Sequence, residues 1–179
     1  MKKHQTFAKR KPAGSMNPQV TSRGERRSPR RFQTRQAEPR KILVPIDFSA
    51  GSLRALEFAA SLAVQFDAAL ILVHVLDPVF TQGRFDSPRL RPLRAEARQE
   101  AEAKLGKLAQ HCTAESQCTM KHQVIDGAAP DGILAYAKKA NADWIVMGSK
   151  GQTGVKRLLA GSVAERVVRQ ATCPVMIVP

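Results

Sequence analysis

The sequence predicts an α/β domain: a five-stranded parallel sheet with helices on both faces. Three observations carry that expectation. From Lys41 onward, short apolar runs rich in Val, Ile and Leu alternate with longer segments whose apolar residues recur at helical spacing, the pattern of repeated βαβ units. The runs are short and mostly β-branched or Leu-rich, as strands covered on both faces tend to be. The 179 residues, 43% of them hydrophobic, suffice for one core and exclude a long multidomain enzyme.

Taken in order, the predicted strands are Lys41–Ile46, Ala69–Val75, Thr119–Ile125, Trp144–Met147 and Val175–Val178. Between the first two, Ala55, Phe58, Ala59, Leu62, Ala63 and Phe66 predict an amphipathic helix over Ser52–Phe66. Leu and Ala repeating among Glu, Arg and Lys predict a second over Leu93–Ala109, after a loop from Asp77 to Pro92. Pro130 in a first turn, followed by Asp131, opens a third helix through Ala140. Ser162–Gln170 is the fourth, with Ser162 and Glu165 matching S-x-x-E, a capping box.

Charge divides the chain. Of 29 Lys and Arg and 15 Asp and Glu, a net +14, residues 1–41 hold thirteen basic side chains against Glu25 and Glu38 only. With Pro12, Pro18, Pro29 and Pro39 and few apolar residues, segment 1–40 cannot bury enough surface to offset ordering entropy and reads as a disordered basic tail before a domain at 41–179. Such a tail suits nonspecific contact with nucleic acid, or else a solubilising or targeting role. Cys112, Cys118 and Cys173 form no C-x-x-C pair, which speaks against a disulfide framework or a zinc site and for a reducing cytoplasm. The longest aliphatic run, Ala68–Val75, is far short of a membrane span.

In an open doubly wound sheet, ligands bind beyond the carboxyl ends of the strands. Those ends carry Pro45, Ile46 and Asp47; Val75 through Asp77; Asp126 and Gly127; and Gly148 through Gly154. After the fourth strand, Met147, Gly148, Ser149, Lys150 and Gly151 lead toward Gly161, Ser162 and Val163 at a helix start. Glycines there permit positive φ and close backbone approach, and free N–H groups at Val163 and Ala164 suit a phosphate. No G-x-x-x-x-G-K-[ST] or G-x-G-x-x-G occurs, so neither a Walker loop nor a dinucleotide fingerprint is present. Each glycine, taken singly, also serves as ordinary punctuation, Asp47 as a turn former, His74 as a packed strand histidine, and Asp77 and Asp126 as solvated acids or partners for Mg²⁺.

The spacing that does occur is G-x-x-G, nine residues, then G-S: Gly148, Gly151, Gly161 and Ser162. With K-I-L-V-P-I-D-F-S at Lys41–Ser49, L-V-H-V at Leu72–Val75, G-A-A-P at Gly127–Pro130 and C-P-V-M-I-V-P at the end, the chain resembles the ATP-binding branch of the universal stress protein family from about Arg40 to Pro179. The resemblance implies a flavodoxin-like, adenine-nucleotide-alpha-hydrolase-like fold. It also implies ATP, or AMP or ADP, possible Mg²⁺, and a stress-response role with at most slow hydrolysis. Asp47 would lie near the ribose, Val75 against adenine, Met147 and Gly148 beneath the nucleotide, and Gly151, Gly161, Ser162 and Val163 around the phosphates. Ala164 stands where binders often carry Thr or Ser, and Lys150 where His or Arg is common. The family also implies a homodimer paired through the C-terminal strand. The alternatives are a nucleotide-independent interaction protein of the same fold and a nucleic-acid-associated protein acting through its basic tail.

Overall fold

Why the body folds as a sheet between helix pairs follows from the two-residue period of its strands. In the computed structural model, which describes residues 38–76, 91–116, 118–151 and 161–179, the elements are β1 (Lys41–Pro45), α1 (Ala50–Phe66), β2 (Ala69–Leu76), α2 (Arg91–Ser116), β3 (Met120–Asp126), α3 (Ala129–Ala140), β4 (Trp144–Gly148), α4 (Ser162–Gln170) and β5 (Val175–Val178). The basic segment short of Glu38, the loop residues 77–90 with Asp77, and residues 152–160 with Gly154 lie outside the described residues. All described residues belong to one compact unit, Gln36–Pro179.

Alternate strand residues face opposite ways. Ile42, Val44, Leu70, Leu72 and Val146 pack with α1 and α2 on one face, where Leu56 and Leu105 are essentially inaccessible to water. Leu43, Ile71, Val73, Ile145 and Met147 pack with α3 and α4 on the other, around Ile133 and Val167. Every neighbouring strand pair is parallel, as the alternation of strand and helix predicted. The strand order is β3-β2-β1-β4-β5. Five strands of the doubly wound nucleotide-binding sheet share that order, whereas flavodoxin itself runs 2-1-3-4-5. The chain therefore reverses direction across the sheet between β1 and β4, and the crevice opens there.

Two helix expectations are corrected. Phe58 is 43% exposed, while Leu56, outside the expected stripe, is 1% exposed. The buried line of α1 runs Ser52, Ala55, Leu56, Ala59 and Ala63, and Phe58 stands off it. α2 continues past Ala109 to Ser116, because Ala109 still packs at 5% exposure and Thr113 Oγ1 donates to the Ala109 carbonyl at 2.8 Å, a local bond compatible with the helix. At the other end, Asp143 Oδ2 accepts the amides of Arg40 and Lys41, both at 2.9 Å, pinning the start of β1 beside β4.

Candidate functional site

The site grows from the turn after β1. Phe48 takes a left-handed backbone, φ 61°, unfavourable for a residue with a Cβ, and its ring lies 4.9 Å from that of His74. The turn lets Asp47 Oδ1 accept both the amide of Ser49, at 3.0 Å, and its hydroxyl, at 2.5 Å. Ser49 in turn caps α1, its Oγ accepting the Ser52 amide at 3.2 Å. Asp47 thus does form the turn that its residue type favours, and it also faces the cavity. His74 donates from Nδ1 to the Ile46 carbonyl at 2.7 Å, which ties β2 to the same turn.

The glycines past β4 act by close approach. A Cβ on Gly148 would fall 2.7 Å from the Gly51 carbonyl carbon, one on Gly51 would fall 2.7 Å from the Lys150 carbonyl oxygen, and one on Gly151 would fall 2.7 Å from Asp47 Oδ2. So the end of β4 and the start of α1 meet backbone to backbone, and the loop after β4 meets the β1 turn at the Asp47 carboxylate. The expected positive φ is corrected: among the described glycines only Gly127, φ 138°, has it.

The capping box is corrected too. Gly161, at φ −68° and ψ 157°, is the N-cap of α4 and offers no side-chain bond; Ser162 is the first helical residue. Glu165 reaches forward to Arg169 at 2.9 Å instead of back to the cap. The Gly161 amide donates to the Ser149 carbonyl at 2.7 Å, fastening α4 to the end of β4. The next amides, of Ser162, Val163 and Ala164, precede the first intrahelical bond and form an uncapped, electropositive helix end.

These elements enclose a cavity of about 240 Å³. Twelve of the residues singled out by sequence line it: Pro45 at the end of β1 with Ile46 and Asp47 in the turn after it, Val75 from β2, Met147 through Gly151 from β4 and beyond, and Gly161, Ser162 and Val163 at the head of α4. Ser52, Val73, His74, Ala129, Ile133 and Ala164 line it as well. Ser52, Val73, Ala129 and Ile133 are the lining residues sequence reasoning missed; for the last two, their four-residue spacing on α3 was the available signal. Since β1 separates β2 from β4, the cavity has two ends. Val75, Ala129 and Ile133 make an apolar end over β2, and Lys150, Gly151 and the α4 amides make a cationic, donor-rich end beyond β4.

Asp126 does not join the site. Its Oδ2 is held by Arg98 at 2.5 Å and Arg94 at 3.1 Å, two guanidinium groups from α2. Its charge is thereby matched within the protein, and among the described residues no group of three His, Cys, Asp or Glu is arranged to hold a metal ion. Nor is any described helix long and apolar enough to cross a membrane. Burial pushes the Cys173 thiol above its ordinary pKa.

The sequence matches the Universal stress protein family over residues 38–179. Universal stress protein MJ0531 of Methanocaldococcus jannaschii is 36% identical over 144 residues, covering 78% of this chain and 81% of that protein. YxiE of Bacillus subtilis is 33% identical, with 77% and 97% covered. Among solved structures, MJ0577 of M. jannaschii superposes with a TM-score of 0.70 at 28% identity, covering 78% of this chain and 94% of that one. The family match, the identity to these relatives and the superposition agree, and the chain belongs to the universal stress protein family.

Proposed function

We propose that the protein binds ATP, or a related adenine nucleotide, across the carboxyl ends of β2, β1 and β4, and acts as a nucleotide-responsive stress protein with at most slow hydrolysis. The observation that carries this reading is the two-ended cavity: an apolar slot for a base at Val75, Ala129 and Ile133, and an uncapped helix end with Lys150 for phosphates. Asp47 lies between them, in the turn after β1, in reach of a sugar hydroxyl. Two fold relatives support the reading at the level of fold alone: a universal stress protein in complex with cAMP, at 22% identity and TM-score 0.55, and one from Archaeoglobus fulgidus in complex with dAMP, at 23% and 0.57. The donor set does not fit a protein-held Mg²⁺, so a cation would arrive on the phosphates. The test is to denature purified protein and identify the released nucleotide, with calorimetry of the emptied protein against ATP. No released nucleotide and no heat with millimolar ATP would leave an interaction protein of the same fold as the better account.

The two sheet edges differ, which supports a homodimer. On β3, Lys121, His122 and Gln123 are exposed and polar, features that discourage edge pairing. On β5, Val175–Val178 is wholly apolar and only partly buried. A second copy paired along β5 would cover it.

The charge asymmetry favours a separate role for residues 1–40, nonspecific contact with nucleic acid, independent of the cavity.

A further inference from the structure

A glycine sits where α3 presses on the sheet. Gly132 occupies the first turn of α3, its amide donating to the Ala128 carbonyl at 2.8 Å, so it is helical and costs about 1 kcal/mol against Ala in that state. The space a Cβ would need is tight, and its neighbours would have to give by a few tenths of an ångström. It would lie 3.1 and 3.3 Å from Val75 Cγ1 and Cγ2, and 3.2 Å from Ile125 Cδ1. Val75 and Ile125 are cross-strand neighbours in register on β2 and β3, so α3 seats on the pair through bare backbone. Val75 lines the apolar end of the cavity from the sheet, and Ala129 and Ile133 line it from α3, flanking Gly132 in sequence.

We propose that Gly132 is a positioning residue that sets the width of the base slot, by letting α3 approach Val75 closely enough for Ala129 and Ile133 to close on a flat base. This rests on the nucleotide reading above and names what tunes its affinity. A methyl at this position makes α3 lift from β2, or the Val75 and Ile125 side chains give way, with Val75 turning toward the slot. Either movement changes the gap by a few tenths of an ångström. A misfit of one methyl group in such a pocket is worth about tenfold or more in affinity. Helix propensity acts in the opposite sense, since Ala favours the helix, so a purely structural role predicts unchanged or improved stability with unchanged binding.

The test measures ATP affinity by calorimetry in four full-length proteins: wild type, Gly132→Ala, the pair Val75→Ala with Ile125→Val, and all three together. The pair removes the methyl groups that the new Cβ meets. The expected result is a loss of about tenfold on Gly132→Ala in the wild-type background, with cooperative unfolding retained, and a loss below about threefold in the relieved background. Wild-type affinity in Gly132→Ala, or an equal loss in both backgrounds, overturns the assignment of Gly132 alone. If Gly132→Ala does not fold, the triple variant decides against its parent pair: a loss under about threefold supports the assignment and a loss of about tenfold overturns it. Absence of ATP binding by wild type overturns the nucleotide reading and this proposal together.

Discussion

Gly151 and Asp47 are packed so closely that a single Cβ on the glycine would stand 2.7 Å from the carboxylate oxygen Oδ2. The loop after β4 and the turn after β1 therefore share one boundary of the cavity. Asp47 cannot retreat freely, because Oδ1 is held by the amide and hydroxyl of Ser49. Gly151→Ala is expected to displace the carboxylate, weaken the Ser49 cap by about 1 kcal/mol and lower nucleotide affinity at least about tenfold. Thermal unfolding and calorimetry on the same preparation check both parts; a neutral effect on binding would remove Asp47 from the ligand site.

At Gly161, stability and binding should move in opposite directions. Its φ of −68° and ψ of 157° suit a serine N-cap, and the nearest atom to a Cβ there is 3.5 Å away. Gly161→Ser should stabilise α4 by a few tenths of a kcal/mol by capping the Val163 or Ala164 amide. The same bond removes a donor from a bound phosphate, so ATP affinity should fall. A rise in both quantities would show that the phosphates lie elsewhere.

The proposed dimer is testable through the backbone alone. The Pro174 and Val178 carbonyls accept from Ile145 of β4 and from Ser149 just past it, which by the two-residue period turns the amides of Val175 and Ile177 outward. Ile177→Pro deletes an outward donor while sparing the ladder to β4, as proline on an edge strand can. Sedimentation velocity at tens of micromolar should show a dimer for wild type and a shift toward monomer for the variant. A monomeric wild type would refute the pairing.

Arg98 joins α2 to the end of β3, donating to the Val124 carbonyl at 3.1 Å and to Asp126 at 2.5 Å. Both charges are partly solvated, so Arg98→Met is expected to cost only about 1 kcal/mol and to leave ATP affinity unchanged. Urea denaturation and calorimetry would show it. A Mg²⁺-dependent change in stability that vanished with Asp126→Asn would instead place a metal there.

Burial raises the Cys173 pKa, so its thiol stays protonated at pH values where an ordinary cysteine begins to ionise. Its alkylation at pH 8 should be slower in the folded than in the urea-unfolded protein. The stabilising contribution of the neutral thiol is complete below the ordinary thiol range and is lost as pH rises through the folded value. Equal rates in both states would contradict the burial argument.

Much of the architecture was legible because it rests on local pattern. Uninterrupted apolar runs such as Leu70–Val73 are strands covered on both sides, and Pro130 with Asp131 marks a helix start whatever surrounds it. The site's strand ends were legible for the same reason, since a parallel sheet places all its carboxyl ends together. Phe58 shows where local pattern fails: its spacing fits an apolar face, but which side of α1 is buried depends on where the sheet lies. The capping box failed likewise, because the Gly161 carbonyl already accepts the Glu165 amide at 2.9 Å, which makes Gly161 the cap and puts Ser162 inside the helix.

Sequence alone determined the alternation of strand and helix, the parallel sheet and the glycine-bearing segments that flank the cavity, because each depends on residues close together in the chain. Tertiary structure alone decided the strand order, which sets β1 between β2 and β4 and so gives the cavity an apolar and a cationic end. It also decided the contacts of Gly132 with Val75 and Ile125 and of Gly151 with Asp47. The pairs Gly132 with Val75 and Gly151 with Asp47 are steric relations between residues far apart in sequence, and close packing exists only once the whole core has formed.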